Sequence, residues 1–437
     1  MKFTRIAIVG LLVAGFSTSV YSGSTELKLY EARYTKEGID NVLETAATEF
    51  KAAGTAPLFS TYFSLATDSK LNAKQLKSLF SRYEAAIAEQ SDTANIVAME
   101  VAAAKAYQQI PDPNSAAALY KLAALYVTSL EPSLNKDRFL ADIVTGTCTL
   151  PKGRFDTDLW RSIQDPLIKI NVLAQVNPTP ALIAECPSTN IKKEYTTIRA
   201  LAWAKANSGE KALLAIGTLP TVIEQLWALS LIIGNDEIPS ASKQAIETEI
   251  SRRAGDSTDK KNQLVAQSIL VPILMQTQRS STADQYLQSI QSGITEPIAL
   301  EDKIKIALTI APSCIKSNRA DIILSLYAEL FKYETSDPIL VKAGIRQLNS
   351  KLVAHYLAQN ARKNARKIDT EFQSIGLDRT ANVALFWDAV AEKNQEKAIE
   401  YAKREPDAQL LNRRYVDLTA SFGDNKLFKQ LVSDSSQ

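Results

Sequence analysis

Residues 92–113 read DTANIVAMEVAAAKAYQQIPDP, and within them Ile96, Met99, Ala103, Ala106 and Ile110 return every three to four positions. That spacing puts them on one stripe of an α-helix, with the polar residues turned away from it. The same period returns at Val383, Phe386, Trp387 and Val390, and again at Leu411, Tyr415, Leu418 and Phe422. Period-two alternation bounded by turns, the mark of a half-buried strand, is hard to find. The patterning predicts an all-α fold.

Composition points the same way. The chain has 437 residues, of which 46% are apolar and 22% charged, enough to bury a core. Only 15 Gly and 16 Pro interrupt it, which favours long helices over a sheet with its many tight turns. Fifty Lys and Arg against 48 Asp and Glu leave a net charge of +2, without the global basic footprint of a nucleic-acid binder. Nucleic acid is therefore not an expected partner.

The N-terminus reads as an export signal over residues 1–22. Lys2 and Arg5 form a basic start, Ile6 to Phe16 is an apolar run too short to span a bilayer comfortably, and Val20-Tyr21-Ser22 suits a signal peptidase. Cleavage would leave Gly23 as the mature N-terminus. The expected product is an exported protein, periplasmic or secreted, with no membrane span after cleavage.

Helix boundaries are marked by an acidic residue before proline, at Asp112-Pro113, Glu131-Pro132, Asp165-Pro166, Glu296-Pro297, Asp337-Pro338 and Glu405-Pro406. A carboxylate just outside a helix meets free amides and the positive dipole end, and Pro fits the first helical position, where its missing N–H has no partner to lose. Three segments repeat one plan, a Lys-Ala helix, a Pro-marked turn and a further amphipathic helix. They are Lys105 to Pro113 leading into Leu119 to Tyr126, Glu210 to Pro220 leading into Trp227 to Ile233, and Glu396 to Pro406 leading into Leu410 to Phe422. Pro113, Pro151, Pro187, Pro220, Pro297, Pro338 and Pro406 form a ladder with a drifting step of roughly 35 residues and two rungs missing.

In these segments the chain resembles the tetratricopeptide-like class of α-solenoids. The resemblance implies helix hairpins stacked into a superhelix over residues 23–437, with a concave face that holds a protein or peptide partner. The Trp, Leu-Gly and Tyr signature of that class is absent here. An irregular segment near residues 145–195 is the expected place for any subdivision.

Three cysteines in a chain bound for an oxidising compartment suggest one bridge and one spare thiol. Cys148 and Cys186 are the expected pair, leaving Cys314 free; three reduced, buried thiols are the alternative.

The inventory for chemistry is thin. His355 is the only histidine, so no multi-histidine metal site can form, and no cofactor is expected. His355-Tyr356 invites a proton-transfer reading, that of an envelope-polysaccharide enzyme or its accessory subunit on a helical toroid. The histidine nevertheless lies on an amphipathic run, as a structural residue would. Ser240-Ala-Ser-Lys243 and Ser313-Cys-Ile-Lys316 match a serine–lysine spacing without its companion motifs. Arg362, Lys363, Arg366 and Lys367 pair at four-residue spacing on a helix, a positive face suited to an anionic envelope component or to solvent. The expected function is that of a non-enzymatic exported scaffold or binding protein, and the enzyme is the alternative.

Overall fold

The computed structural model describes residues 37–38, 41, 88, 91–108, 113–187, 192–256, 258–295, 298–317, 319–331, 339–373, 383–404, 408–423 and 426. Among the described residues there are nineteen α-helices and no strand, so the all-α expectation holds. Residues 1–22 lie outside the described residues, as do Ile110, Asp112, Glu296-Pro297, Asp337-Pro338 and Glu405-Pro406. The described residues fall into two compact units. A middle unit takes those of Trp203–Ala389, and a split unit takes those of Ala32–Ala202 and Val390–Gln437.

The split unit starts with α1 (Thr93–Tyr107), α2 (Pro113–Thr128) and α3 (Leu134–Thr149), which pack on one another. Helix α1 is buried on more than its expected stripe: Val97, Glu100, Val101 and Ala104 are covered along with Met99 and Ala103. Tyr120 locks the three together. Its hydroxyl donates to Gln108 Oε1 at 3.0 Å, and Gln108 Nε2 donates to the Gly146 carbonyl at 2.8 Å. The ring lies so close to α3 that a Cβ at Gly146 would stand 2.2 Å from it, which is why that position carries no side chain.

Beyond α3 the segment expected to be irregular holds three short helices, α4 (Thr157–Arg161), α5 (Pro166–Gln175) and α6 (Pro180–Glu185), followed by α7 (Lys193–Lys205). Asp165-Pro166 starts α5 as its sequence implies, with Asp165 Oδ1 accepting from the amides of Leu167 and Ile168 at 2.8 and 3.0 Å. Glu131-Pro132 does not start α3. That helix opens two residues later, because Ser133 is the cap and its hydroxyl accepts from the Lys136 amide. Buried Asp137 accepts from the amides of Gln164 and Asp165, fixing the turn into α5. Trp160 is fully buried, its indole N–H donating to the Lys169 carbonyl at 3.0 Å.

The middle unit runs from the end of α7 through α8 (Gly209–Gly217), α9 (Val222–Ile233), α10 (Ser240–Asp256), α11 (Lys260–Gln276), α12 (Ser280–Gly293), α13 (Leu300–Lys316), α14 (Ala320–Phe331), α15 (Ile339–Ala358), α16 (Arg362–Gln373) and α17 (Val383–Ala391). Each of α9, α11 and α13 packs on the next odd-numbered helix, so α9, α11, α13 and α15 form a row. Contacts of α8 with α10 and of α12 with α14 run beside it. The sharp turns between rows share one geometry. The amide of Ser208 donates to the Trp203 carbonyl, Arg279 to Leu274, Arg319 to Cys314 and Ala361 to Tyr356. These are Schellman-type closures, with the residue before the donor in the left-handed region at Asn207, Gln278 and Asn360.

A repeat shows in the chain at these turns. Pro272-Ile-Leu-Met-Gln-Thr-Gln-Arg279 and Pro312-Ser-Cys-Ile-Lys-Ser-Asn-Arg319 occupy equivalent places, each proline inside its helix near the C-terminal end. The arginine that closes each turn then reaches the helix before the one it closes, Arg279 to Glu247 on α10 at 2.6 Å and Arg319 to Asp284 on α12.

The chain re-enters the split unit with α18 (Gln395–Ala402) and α19 (Ala408–Phe422). There Asn41 Nδ2 donates to the Gly423 carbonyl at 2.9 Å, and Gly38 lies against the Ala420 carbonyl with no room for a Cβ. The three segments expected to repeat are pairs of packed helices, α1 with α2, α8 with α9, and α18 with α19.

Candidate functional site

The row of the middle unit carries a polar strip across three of its helices. Asp259 caps α11 by accepting from the Lys261 amide at 2.9 Å, which places Lys261 in the first turn. Glu301 and Asp302 occupy the first turn of α13, where free amides favour carboxylates. Trp227 on α9 donates its indole N–H to Asp302 Oδ1 at 3.0 Å, and Lys261 Nζ lies 3.6 Å from Asp302 Oδ2. Lys305 sits one turn further along α13. Its ammonium is 2.7 Å from Glu301 Oε1 and 5.8 Å from the centre of the Trp227 ring.

Both oxygens of Asp302 are thus engaged, and its side chain is only 12% exposed. It anchors the strip by holding Trp227 and Lys261 together. Lys261 and Lys305, at 36% and 43% exposed, and the half-buried Trp227 are partly open to solvent, with Lys305 near the ring and Lys261 linked to it through Asp302. Such a set suits recognition, since tryptophan with adjacent cations supplies contact area and charge to a bound surface.

The residues singled out by sequence are not gathered there. His355, on α15, is half-buried with its ring 5.5 Å from that of Tyr356, and burial holds the imidazole below its ordinary value. Burial, with Asp321 adding to it, pushes the Tyr356 phenol upward, away from use as a base. Lys243 of the first serine–lysine pair lies 4.0 Å from Asp236. Among the described residues no group of three or more His, Cys, Asp and Glu could hold a metal ion.

The expected Cys148–Cys186 bridge is corrected: all three cysteines are free thiols. Cys148 is held in the last turn of α3, and buried Cys186 ends α6 with its amide on the Ile183 carbonyl, so each is fixed by its own helix. Burial raises both thiols. Cys314 is buried at the turn position that Leu274 fills in the equivalent helix, and burial pushes it up to about 12, which makes it a core residue.

The basic cluster opens α16. Arg362 is drawn off the face, its Nε 3.2 Å from both oxygens of Asp388 and its Nη1 2.9 Å from Asn360 Oδ1. Lys363, Arg366 and Lys367 stand exposed, opposite the buried Ala365 and Ile368.

Two features escaped the sequence reading. One is the strip itself, whose Trp227–Asp302 bond joins residues 75 apart. The other is Glu100 on α1, 3% exposed, with Oε2 lacking a hydrogen-bond partner and burial raising its carboxyl to about 7. The signal was an acidic residue between Met99 and Ala103 of the apolar stripe.

No known protein-family model matches the chain, and no curated protein matches it.

Proposed function

We propose that this is an exported, non-enzymatic scaffold whose helix hairpins stack as a tetratricopeptide-like α-solenoid and hold a protein or peptide partner on the concave face. The observation that carries the proposal is the strip of Trp227, Lys261 and Lys305, which crosses three helices of one row. Row-wise contact between alternate helices, and a turn of one geometry repeated along the row, support the solenoid reading. Binding energy spread over neighbouring repeats needs no nucleophile or base. The exposed Lys363, Arg366 and Lys367 add a secondary site for an anionic envelope component. Export rests on the basic and apolar pattern of residues 1–22.

The test is photo-crosslinking of the full chain in its native compartment, with the reactive group placed at Lys305 or, as a control, at Gln288 on α12. Capture of one protein from Lys305 alone, lost on Trp227→Ala and on Lys261→Glu, is the expected result. Equal capture from both positions, or capture indifferent to the two variants, would remove the strip from the proposal. Turnover of an envelope polysaccharide that disappears in a folded His355→Gln variant would replace the scaffold with an enzyme.

A further inference from the structure

Six large apolar side chains stand exposed among the described residues, and four of them fall in one place on the split unit. Leu122, Leu125 and Tyr126, at 43%, 64% and 41% exposed, are three and four residues apart and share one face of α2. The opposite face of that helix, with Ala116, Leu119, Tyr120, Ala123 and Val127, already supplies the core. Leu134, 42% exposed, opens α3, and Lys136 Nζ holds the intervening turn closed by donating to the carbonyls of Thr128 and Leu130. Leu122, Leu125 and Tyr126 thus make an apolar stripe near the end of α2, and Leu134 stands at the start of the helix that follows it.

Its border is cationic. Lys121 lies one turn before Leu125, Arg138 lies one turn after Leu134, and both are exposed. Neither makes an ion pair among the described residues. The single carboxylate in the connecting turn is Glu131. An apolar stripe at helical spacing with uncompensated cations at its two ends matches one kind of complement. We propose that this face docks an amphipathic helix of a partner protein, one whose apolar stripe is bordered by carboxylates. A second copy of this chain fits less well, because a two-fold pairing of the patch would bring like charges together. The patch lies on the split unit, apart from the Trp227 strip, so it stands or falls independently of that proposal.

The probe is a fluorescently labelled synthetic helix with leucines at i, i+3, i+4 and i+7 flanked by glutamates, titrated with the full chain and read by anisotropy. Its counterpart carries lysines in place of the glutamates. The acidic probe binds and the basic one does not. Leu125→Asp, at a position too exposed to threaten folding, weakens binding roughly tenfold or more, and Leu134→Ser weakens it as well. Lys121→Glu with Arg138→Glu reverses the preference between the two probes. Absence of binding, or binding indifferent to Leu125→Asp, overturns the proposal. So does concentration-dependent dimerisation abolished by Leu125→Asp, which makes a second copy the occupant. Partition onto phosphatidylglycerol vesicles abolished by the same variant would instead assign the face to a lipid surface.

Discussion

Replacing Glu100 with Gln removes one ionisation from the interior of α1 while keeping the shape of the side chain. The carboxyl titrates at about 7 in the folded protein against an ordinary 4.5, because burial disfavours its charged form and Oε2 has no donor to compensate. Between these two values the folded state holds a proton that the unfolded state has released. Stability is therefore complete below pH 4.5 and falls as pH rises through about 7, then levels off. At 1.36 kcal/mol per pKa unit the loss is on the order of 3 kcal/mol, a large part of the stability of one domain. Hydrogen-exchange mass spectrometry of peptides from α1 to α3 reads this locally, avoiding a two-state treatment of a two-unit chain. Protection in the parent should fall from about pH 5 to about pH 8, whereas in Glu100→Gln it should change far less once intrinsic exchange rates are corrected. Parallel pH profiles in the two proteins, or a parent that gains protection relative to the variant at high pH, would refute the reasoning.

Other expectations concern packing, turns, thiols and processing. Gly146→Ala should destabilise the split unit by about 2 kcal/mol in urea denaturation, although helix propensity alone favours alanine by about 1, because its Cβ collides with the Tyr120 ring. Gln278→Gly should stabilise the middle unit by about 0.5 to 1 kcal/mol, because glycine relieves a left-handed backbone at φ 59° and loses some of that gain to chain entropy; a lowered melting temperature would contradict it. Alkylation of unreduced protein in guanidinium should label all three cysteines, and in the native state Cys148 should react before Cys314, which sits at 0% exposure. Intact mass of the exported protein should correspond to a chain starting at Gly23.

The helical character could be read from the sequence because burying one face imposes the 3.6-residue period on every amphipathic helix, and Phe386 and Leu418 are indeed buried where that period puts them. Asp165-Pro166 was equally legible, since capping is a local interaction. Glu131-Pro132 misled because Ser133, nearer the helix, is the better cap. The proline ladder mixes places, since Pro113 opens α2 and Pro220 precedes α9 while Pro151 and Pro187 follow helix ends, whereas Pro272 and Pro312, which recur in phase, lie inside helices near their C-terminal ends. The left-handed turn residues were hidden because Asn, Gln and Lys fill positions where glycine would have advertised them. Trp227 and Asp302 could not be paired in advance, since their bond is made by the stacking of α9, α11 and α13 and leaves no mark in either segment. The cysteine pairing failed for a related reason: the segment near residues 145–195 has no long periodic run, yet Cys148 sits in the last turn of α3 and Cys186 closes α6, and nothing local marks how those helix ends are placed.

The split unit has a kinetic consequence. Its closing contact joins Asn41 to Gly423 across 382 positions, so it is a long-range closure that cannot form until the last helices are present. On a ribosome, the middle unit has all of its residues before α18 and α19 arrive, whereas the split unit waits for them. Until then the surface that Ala420 and Gly423 will cover stays open. That interval is when a chaperone has something to hold, and a chain cut short after Ala389 would remain in it permanently.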